Sequence, residues 1–108
     1  MLNVKLKGRN KMEVVKKFCR DYKFKEVFIK QGRYVKSVSN KEWFAIDILE
    51  DKVKISYENY NFEKPIIKDY SFTNEYIEYL TDLKRVDEFI KREFIRFIES
   101  TYCYILNH

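Results

Sequence analysis

At 108 residues, 45% apolar and 18% aromatic, the chain has the length of one domain and enough bulk for one hydrophobic core. Two Gly and one Pro argue against a loop-rich architecture, and no apolar run approaches the ~20 residues of a membrane-spanning helix. Charge is divided by position: residues 1–41 carry 13 Lys or Arg against 3 acids, and residues 42–108 carry 9 against 14, a net of +10 followed by −5. Such a division bears on partners more than on topology, because summed surface charge steers association and does not select a fold.

Leu2, Val4 and Leu6 alternate with Asn3, Lys5 and Lys7, which is the period of a half-buried strand, and Gly8-Arg9 ends it. Asn10 three residues before Glu13 then opens a helix. Its apolar side reads Met12, Val15, Phe18, Cys19 and Tyr22, and its outer face reads Lys16, Lys17 and Arg20. Four extended segments follow at Phe24–Lys30, Arg33–Val38, Glu42–Leu49 and Val53–Tyr57. The breaks between them are short and rich in Gly, Asn, Asp and Ser, which predicts an antiparallel meander. Trp43–Leu49 is nearly continuous in apolar residues, so the third strand should be the most buried, with Asp47 turned to solvent.

Pro65-Ile66-Ile67 adds a short edge strand, where Pro is tolerated. Thr73 is an N-cap, and Phe72 with Ile77 forms a hydrophobic staple for a short helix running to about Asp82. Helix resumes near Lys84 with a stripe of Val86, Phe89, Ile90, Phe94, Phe97 and Ile98, while Arg92, Arg96 and Glu99 face outward. The join near Thr81-Asp82 is either a break or a kink. The expected fold is a single α+β domain over residues 1–108. A meander sheet of four to five strands carries an N-terminal helix and two C-terminal helices packed on it.

Little in the sequence supports catalysis. His108 is the only histidine and the last residue, and Gly8 and Gly32 do not make a phosphate-binding loop. Cys19 and Cys103 are too few for a zinc site, so no catalytic set, metal or cofactor is expected. Two cysteines, with no apolar leader at the start, fit half-buried thiols in a reducing cytoplasm; whether they pair stays open. Asp47 is the one acid inside an apolar strand and the best candidate for an enzymatic role if there is one.

Two surfaces remain as candidates for binding. Lys5, Lys7, Lys16, Lys17, Arg20, Lys25, Arg33 and Lys36 could neutralise phosphates or meet an acidic partner. Residues 50–82 have the opposite character, with acids interleaved with tyrosines. Glu50, Asp51, Tyr57, Glu58, Tyr60, Glu63, Asp69, Tyr70, Glu75 and Glu78 suit a protein-binding surface, since Tyr brings large contact area at small entropic loss.

The order of elements is similar to that of double-stranded-RNA-binding domains. That family is basic where its closing helix begins, however, and this chain reads Thr73-Asn74-Glu75-Tyr76 there. Small size, one α+β domain, abundant Lys, Ile, Tyr, Phe and Asn, and the divided charge together resemble phage-encoded inhibitors of bacterial defence, anti-CRISPR proteins especially. That group shares no motif, so the resemblance is one of kind, spans the whole chain and carries no residue over. It implies a non-enzymatic protein, in the cytoplasm of a bacterial host cell, that occupies a surface of a nucleic-acid-handling protein or nucleoprotein. Monomer or homodimer and no membrane partner are expected with it. The alternative is a small nucleic-acid-binding protein that uses the basic face of residues 1–41.

Overall fold

The computed structural model describes the backbone of residues 2–60 and 66–107 and the side chains of residues 12–60 and 69–107. The elements are α1 (Leu2–Asp21), β1 (Lys25–Glu26), β2 (Arg33–Ser39), β3 (Glu42–Ile48), β4 (Lys52–Asn59), β5 (Ile66–Thr73), α2 (Asn74–Tyr79) and α3 (Leu83–Asn107). The five strands form one sheet in the order β1-β2-β3-β4-β5 with every neighbour antiparallel, the expected meander.

Register assigns the faces. Phe44 stands opposite Lys36 and Tyr57, Ile46 opposite Tyr34 and Ile55, and Val53 opposite Phe72. These residues share the face on which α1 and α3 lie. Phe72 meets Phe89 at 4.8 Å and Phe94 at 5.6 Å between ring centroids, and Phe18 of α1 meets Phe94 at 5.4 Å. Val15, Phe18 and Cys19 are buried there as their 3.6-residue spacing predicts. Burial holds the Cys19 thiol protonated, pushing it up to about 12. Both cysteines are free, Cys19 buried and Cys103 exposed.

Three expectations about element bounds are corrected. Residues 2–7 are the first turns of α1 and not a strand. Leu, Lys and Met are strong helix formers, and one Gly costs a helix only about 1 kcal/mol, too little for Gly8 to end it. Alternation of Leu2, Val4 and Leu6 also places Leu2 and Leu6 four apart, a spacing that fits either structure. The first extended segment shrinks to Lys25–Glu26, after which the chain turns. At the other edge, β5 reaches Thr73 and is far longer than the expected Pro65-Ile66-Ile67, of which Pro65 lies outside the described residues, because it pairs along the whole of β4.

α1 ends in a Schellman motif. Phe24 N–H donates to Cys19 O at 2.7 Å and Lys23 N–H to Arg20 O at 3.2 Å, with Lys23 left-handed at φ 64°. The β1–β2 turn depends on Gly32, at φ +83°, where a Cβ would fall 2.9 Å from Ile48 O. Gly32→Ala is therefore expected to destabilise the fold by about 2 kcal/mol, as read by urea denaturation. A loss below a few tenths would mean that the turn relaxes freely.

The opposite sheet face carries rows of polar and small residues: Arg33, Asp47, Lys54 and Ser71 in one, Val35, Ala45, Ser56 and Asp69 in the next. Asp47, expected in solvent, is 3% exposed. The Arg33 guanidinium donates to both Asp47 oxygens at 3.4 and 3.3 Å and to Glu58 Oε1 at 2.5 Å. Glu58 lies one row beyond Ala45 and Ser56, so Arg33 must cross these two small residues to reach it. Both are buried. A buried carboxylate persists because the crossing arginine neutralises it.

Candidate protein-docking surface

The site is built at the corner where β5, α2 and α3 meet. Thr73 ends β5 and caps α2, its Oγ1 accepting the Tyr76 N–H at 3.3 Å. Asn74 N–H donates to Asp51 O at 2.9 Å and its side-chain amide to Glu50 O at 2.6 Å. These two bonds bring the Glu50-Asp51 turn beside the first turn of α2. Within α2 only Ile77 is buried, so Glu75, Tyr76, Glu78 and Tyr79 all face solvent. Asp82 then starts α3, its carboxylate accepting the Arg85 N–H at 2.8 Å. The join left open by the sequence is thus a break with its own cap, and α2 stops at Tyr79.

An open cleft of about 320 Å³ sits at this corner, lined by Tyr70, Phe72, Tyr76, Phe89, Arg92 and Glu93. Alternation on β5 puts Tyr70 and Phe72 on one face, while Phe89, Arg92 and Glu93 follow each other at i, i+3 and i+4 on α3. Tyr76 packs on Phe89 at 5.0 Å and the Arg92 guanidinium lies 5.9 Å from the Phe89 ring centre. Tyr70 OH donates to Glu93 Oε1 at 2.8 Å and Arg92 Nε to Glu93 Oε2 at 3.0 Å. A second depression of about 300 Å³ shares Phe89 and Arg92 and reaches Leu80, Arg85 and Glu88. Tyr79 beside it is 81% exposed. Large aromatic surface with an arginine laid over it and a polar rim is the make-up of protein hot spots.

The hydrogen bond from Tyr70 holds the Glu93 carboxyl below its ordinary range, while burial and the same bond raise the Tyr70 hydroxyl. A carboxyl depressed on folding stabilises above its unfolded pKa, and that contribution is lost as pH falls through the folded value. Tyr70→Phe is thus expected to lower stability near neutral pH and to match the wild type in acid. Urea denaturation at several pH values reads this; a pH-independent difference would rule the bond out as its source.

No family model, curated protein or solved structure matches this chain. Among the described residues no group of three or more His, Cys, Asp or Glu could hold a metal ion, and no helix is long and apolar enough to cross a membrane. What the site does must therefore be read from its own geometry.

Of the acid and tyrosine positions singled out in the sequence, Glu50, Asp51, Tyr70, Glu75 and Glu78 gather at this corner. The others do not join them. Tyr57 is 1% exposed in the core, where its hydroxyl donates to Glu42 Oε1 at 2.8 Å. Burial and that bond raise its hydroxyl to about 12. Glu58 is spent on Arg33, Asp69 stands exposed on the other sheet face, and Glu63 lies outside the described residues. Tyr60 stacks on Trp43 at 5.1 Å, past the opposite end of β4.

The basic positions lie toward the other edge of the sheet. Lys16 pairs with Glu13 at 3.4 Å and Lys17 with Asp21 at 3.1 Å, both exposed, and Arg20 and Lys25 are exposed. Lys16 and Arg20 bear on the Tyr34 hydroxyl of β2, and the Lys36 ammonium stands 6.0 Å from the Phe24 ring. Arg33 is half-buried and committed to Asp47 and Glu58, so it is withdrawn from any phosphate. Lys5 and Lys7 belong to α1, with side chains outside those described. From β1 to β5 is four strand spacings, about 19 Å, so Lys25 and Lys36 stand well away from the corner, whereas α1, which carries Lys16, Lys17 and Arg20, also touches α2.

One exposed pair escaped the sequence reading. Phe28 is fully exposed and Ile29 is 92% exposed at the β1–β2 turn. Three consecutive apolar residues, Val27-Phe28-Ile29, break the alternation of a half-buried strand and were the signal available.

Proposed function

We propose that this chain is a non-enzymatic binding protein that docks on a nucleic-acid-handling protein or nucleoprotein and inhibits it. The observation that carries this reading is the corner itself, where Tyr70 and Tyr76 line an open aromatic cleft with Phe72, Phe89, Arg92 and Glu93. Tyr79 stands exposed on the same short helix as Tyr76, and Asn74 ties the Glu50-Asp51 turn to that helix. Exposed tyrosines give anchoring area, and carboxylates match the basic groove in which such a target holds phosphates. A target of the CRISPR effector class fits this chemistry, which agrees with the resemblance to anti-CRISPR proteins. The test is target-DNA binding by guide-loaded effector complexes of several types, with and without the purified protein. Inhibition by the wild type and none by Tyr76→Ala/Tyr79→Ala supports docking through the corner; equal inhibition by both refutes it.

A second reading is direct nucleic-acid binding at the β1–β2 edge, favoured by the grouping of Lys16, Arg20, Lys25 and Lys36 around that edge. It predicts affinity for generic duplex or single-stranded nucleic acid that falls steeply with salt and weakens in Lys16→Glu/Arg20→Glu. Salt-insensitive binding, or none, removes it.

A further inference from the structure

We propose that the Phe28–Ile29 tip of one copy of this chain seats in the Tyr70–Phe89 cleft of a second copy. The tip is a held shape and not a loose loop. Val27 N–H donates to Arg33 O at 2.8 Å, and Lys30 N–H to Val27 O and Arg33 N–H to Lys30 O at 3.3 Å each. Closing these bonds pushes Phe28 and Ile29 outward, where nothing among the described residues covers them. A fully exposed Phe beside an exposed Ile makes a contiguous apolar patch of the size that is often functional on a protein surface.

The cleft has the complementary chemistry. Its floor is aromatic, it is open, and at about 320 Å³ it has room for an aromatic side chain. Lys25 and Lys30 stand exposed beside the tip, with Glu26 between strand and turn. At the cleft Arg92 is paired with Glu93, which leaves, among the described residues, the exposed Glu75 next to Tyr76 and the Glu50-Asp51 turn bonded to Asn74 as the uncompensated charge. Approach therefore brings unlike charges together. Within one chain the two cannot meet, since β3 and β4 separate β2 from β5 by three strand spacings, about 14 Å. A second copy is the occupant that supplies both halves of the match. The contact joins two different patches, so it propagates head to tail unless two copies close on each other reciprocally.

Phe28 and Ile29 together bury about 350 Å² on the tip side, a little under half of the about 800 Å² that each partner buries in a standard interface, so the association is weak and depends on concentration. It needs only the purified chain and goes beyond docking on a target; its failure would leave that reading untouched.

The experiment is sedimentation velocity from about 10 μM to about 1 mM, a range that brackets a dissociation constant on the order of 100 μM. The wild type is expected to gain mass with concentration. Phe28→Asp/Ile29→Asp and Tyr76→Asp, all at exposed positions, are each expected to stay monomeric. Mixing the two variants is the decisive arm: one keeps an intact cleft and the other an intact tip, so association should return as a 1:1 pair. Wild type that stays monomeric throughout, or dead variants that do not rescue each other, would overturn the proposal. So would binding to phosphatidylserine vesicles lost only in the tip variant, with no self-association, since that assigns the tip to a lipid surface.

Discussion

Arg33→Met is expected to destabilise the protein by about 3 kcal/mol, the largest effect of any single substitution outside the apolar core. Its guanidinium is the group that makes two acids tolerable on the helix-free face: Asp47, 3% exposed, and Glu58, half-buried. Met fills much of the same path over Ala45 and Ser56 but leaves both carboxylates without that partner. Lys30 remains 3.9 Å from Asp47 and offsets only part of the loss, because its own side chain is 57% exposed. Arg33→Met/Asp47→Asn should recover a good part of the stability, since it removes the stranded charge along with its partner. Urea denaturation of the two variants and of Asp47→Asn completes the cycle. A loss under about 1 kcal/mol for Arg33→Met would mean that water reaches Asp47 and that the bridge is ornamental.

Glu75→Lys/Tyr76→Ala/Tyr79→Ala is expected to weaken target binding by a factor of about 100 or more. Two anchoring tyrosines at roughly 2 kcal/mol each already exceed that factor, before the reversed charge is counted. Folding should be little affected, because α2 is fastened to the core by Ile77, which the variant leaves alone. Phe28→Asp/Ile29→Asp is the control that separates docking from self-association: it should retain inhibition while losing the contact between copies. Lys16→Glu/Arg20→Glu should also retain inhibition if the acidic corner is the docking surface.

Much of the fold was legible because local signals agreed. The hairpin breaks at Gly32, Asn40 and Asp51 fall where the strands reverse, and Val15, Phe18, Cys19, Val86, Phe89, Ile90 and Phe94 all turn inward at helical spacing. The N-terminal turns of α1 read as a strand because a six-residue alternation that contains Leu at i and i+4 satisfies both periods. Asp47 was misread for another reason. Its face follows from alternation, but its burial depends on an arginine fourteen residues earlier lying across two small residues, and only the register of three strands puts those in line.

The site was legible by composition and not by position. Acids and tyrosines concentrate in residues 50–82, yet alternation on β4 sends Tyr57 into the core and Glu58 to the opposite face. The corner assembles from β5, α2 and α3, and half of its cleft comes from Phe89, Arg92 and Glu93, which lie outside that stretch. Phe89 looked like one more residue of a core stripe. It is one, and its edge also forms the cleft floor.

The most direct measurement is phage plating on a bacterium whose CRISPR system is directed against that phage, with the protein expressed in the host. Docking through the acid–tyrosine corner predicts restored plating with the wild type and with Lys16→Glu/Arg20→Glu, and lost plating with Glu75→Lys/Tyr76→Ala/Tyr79→Ala. Plating that stays blocked with the wild type in every CRISPR type tried would contradict the proposed inhibition. Plating that depends on the basic residues and ignores the corner would assign the activity to the other edge of the sheet.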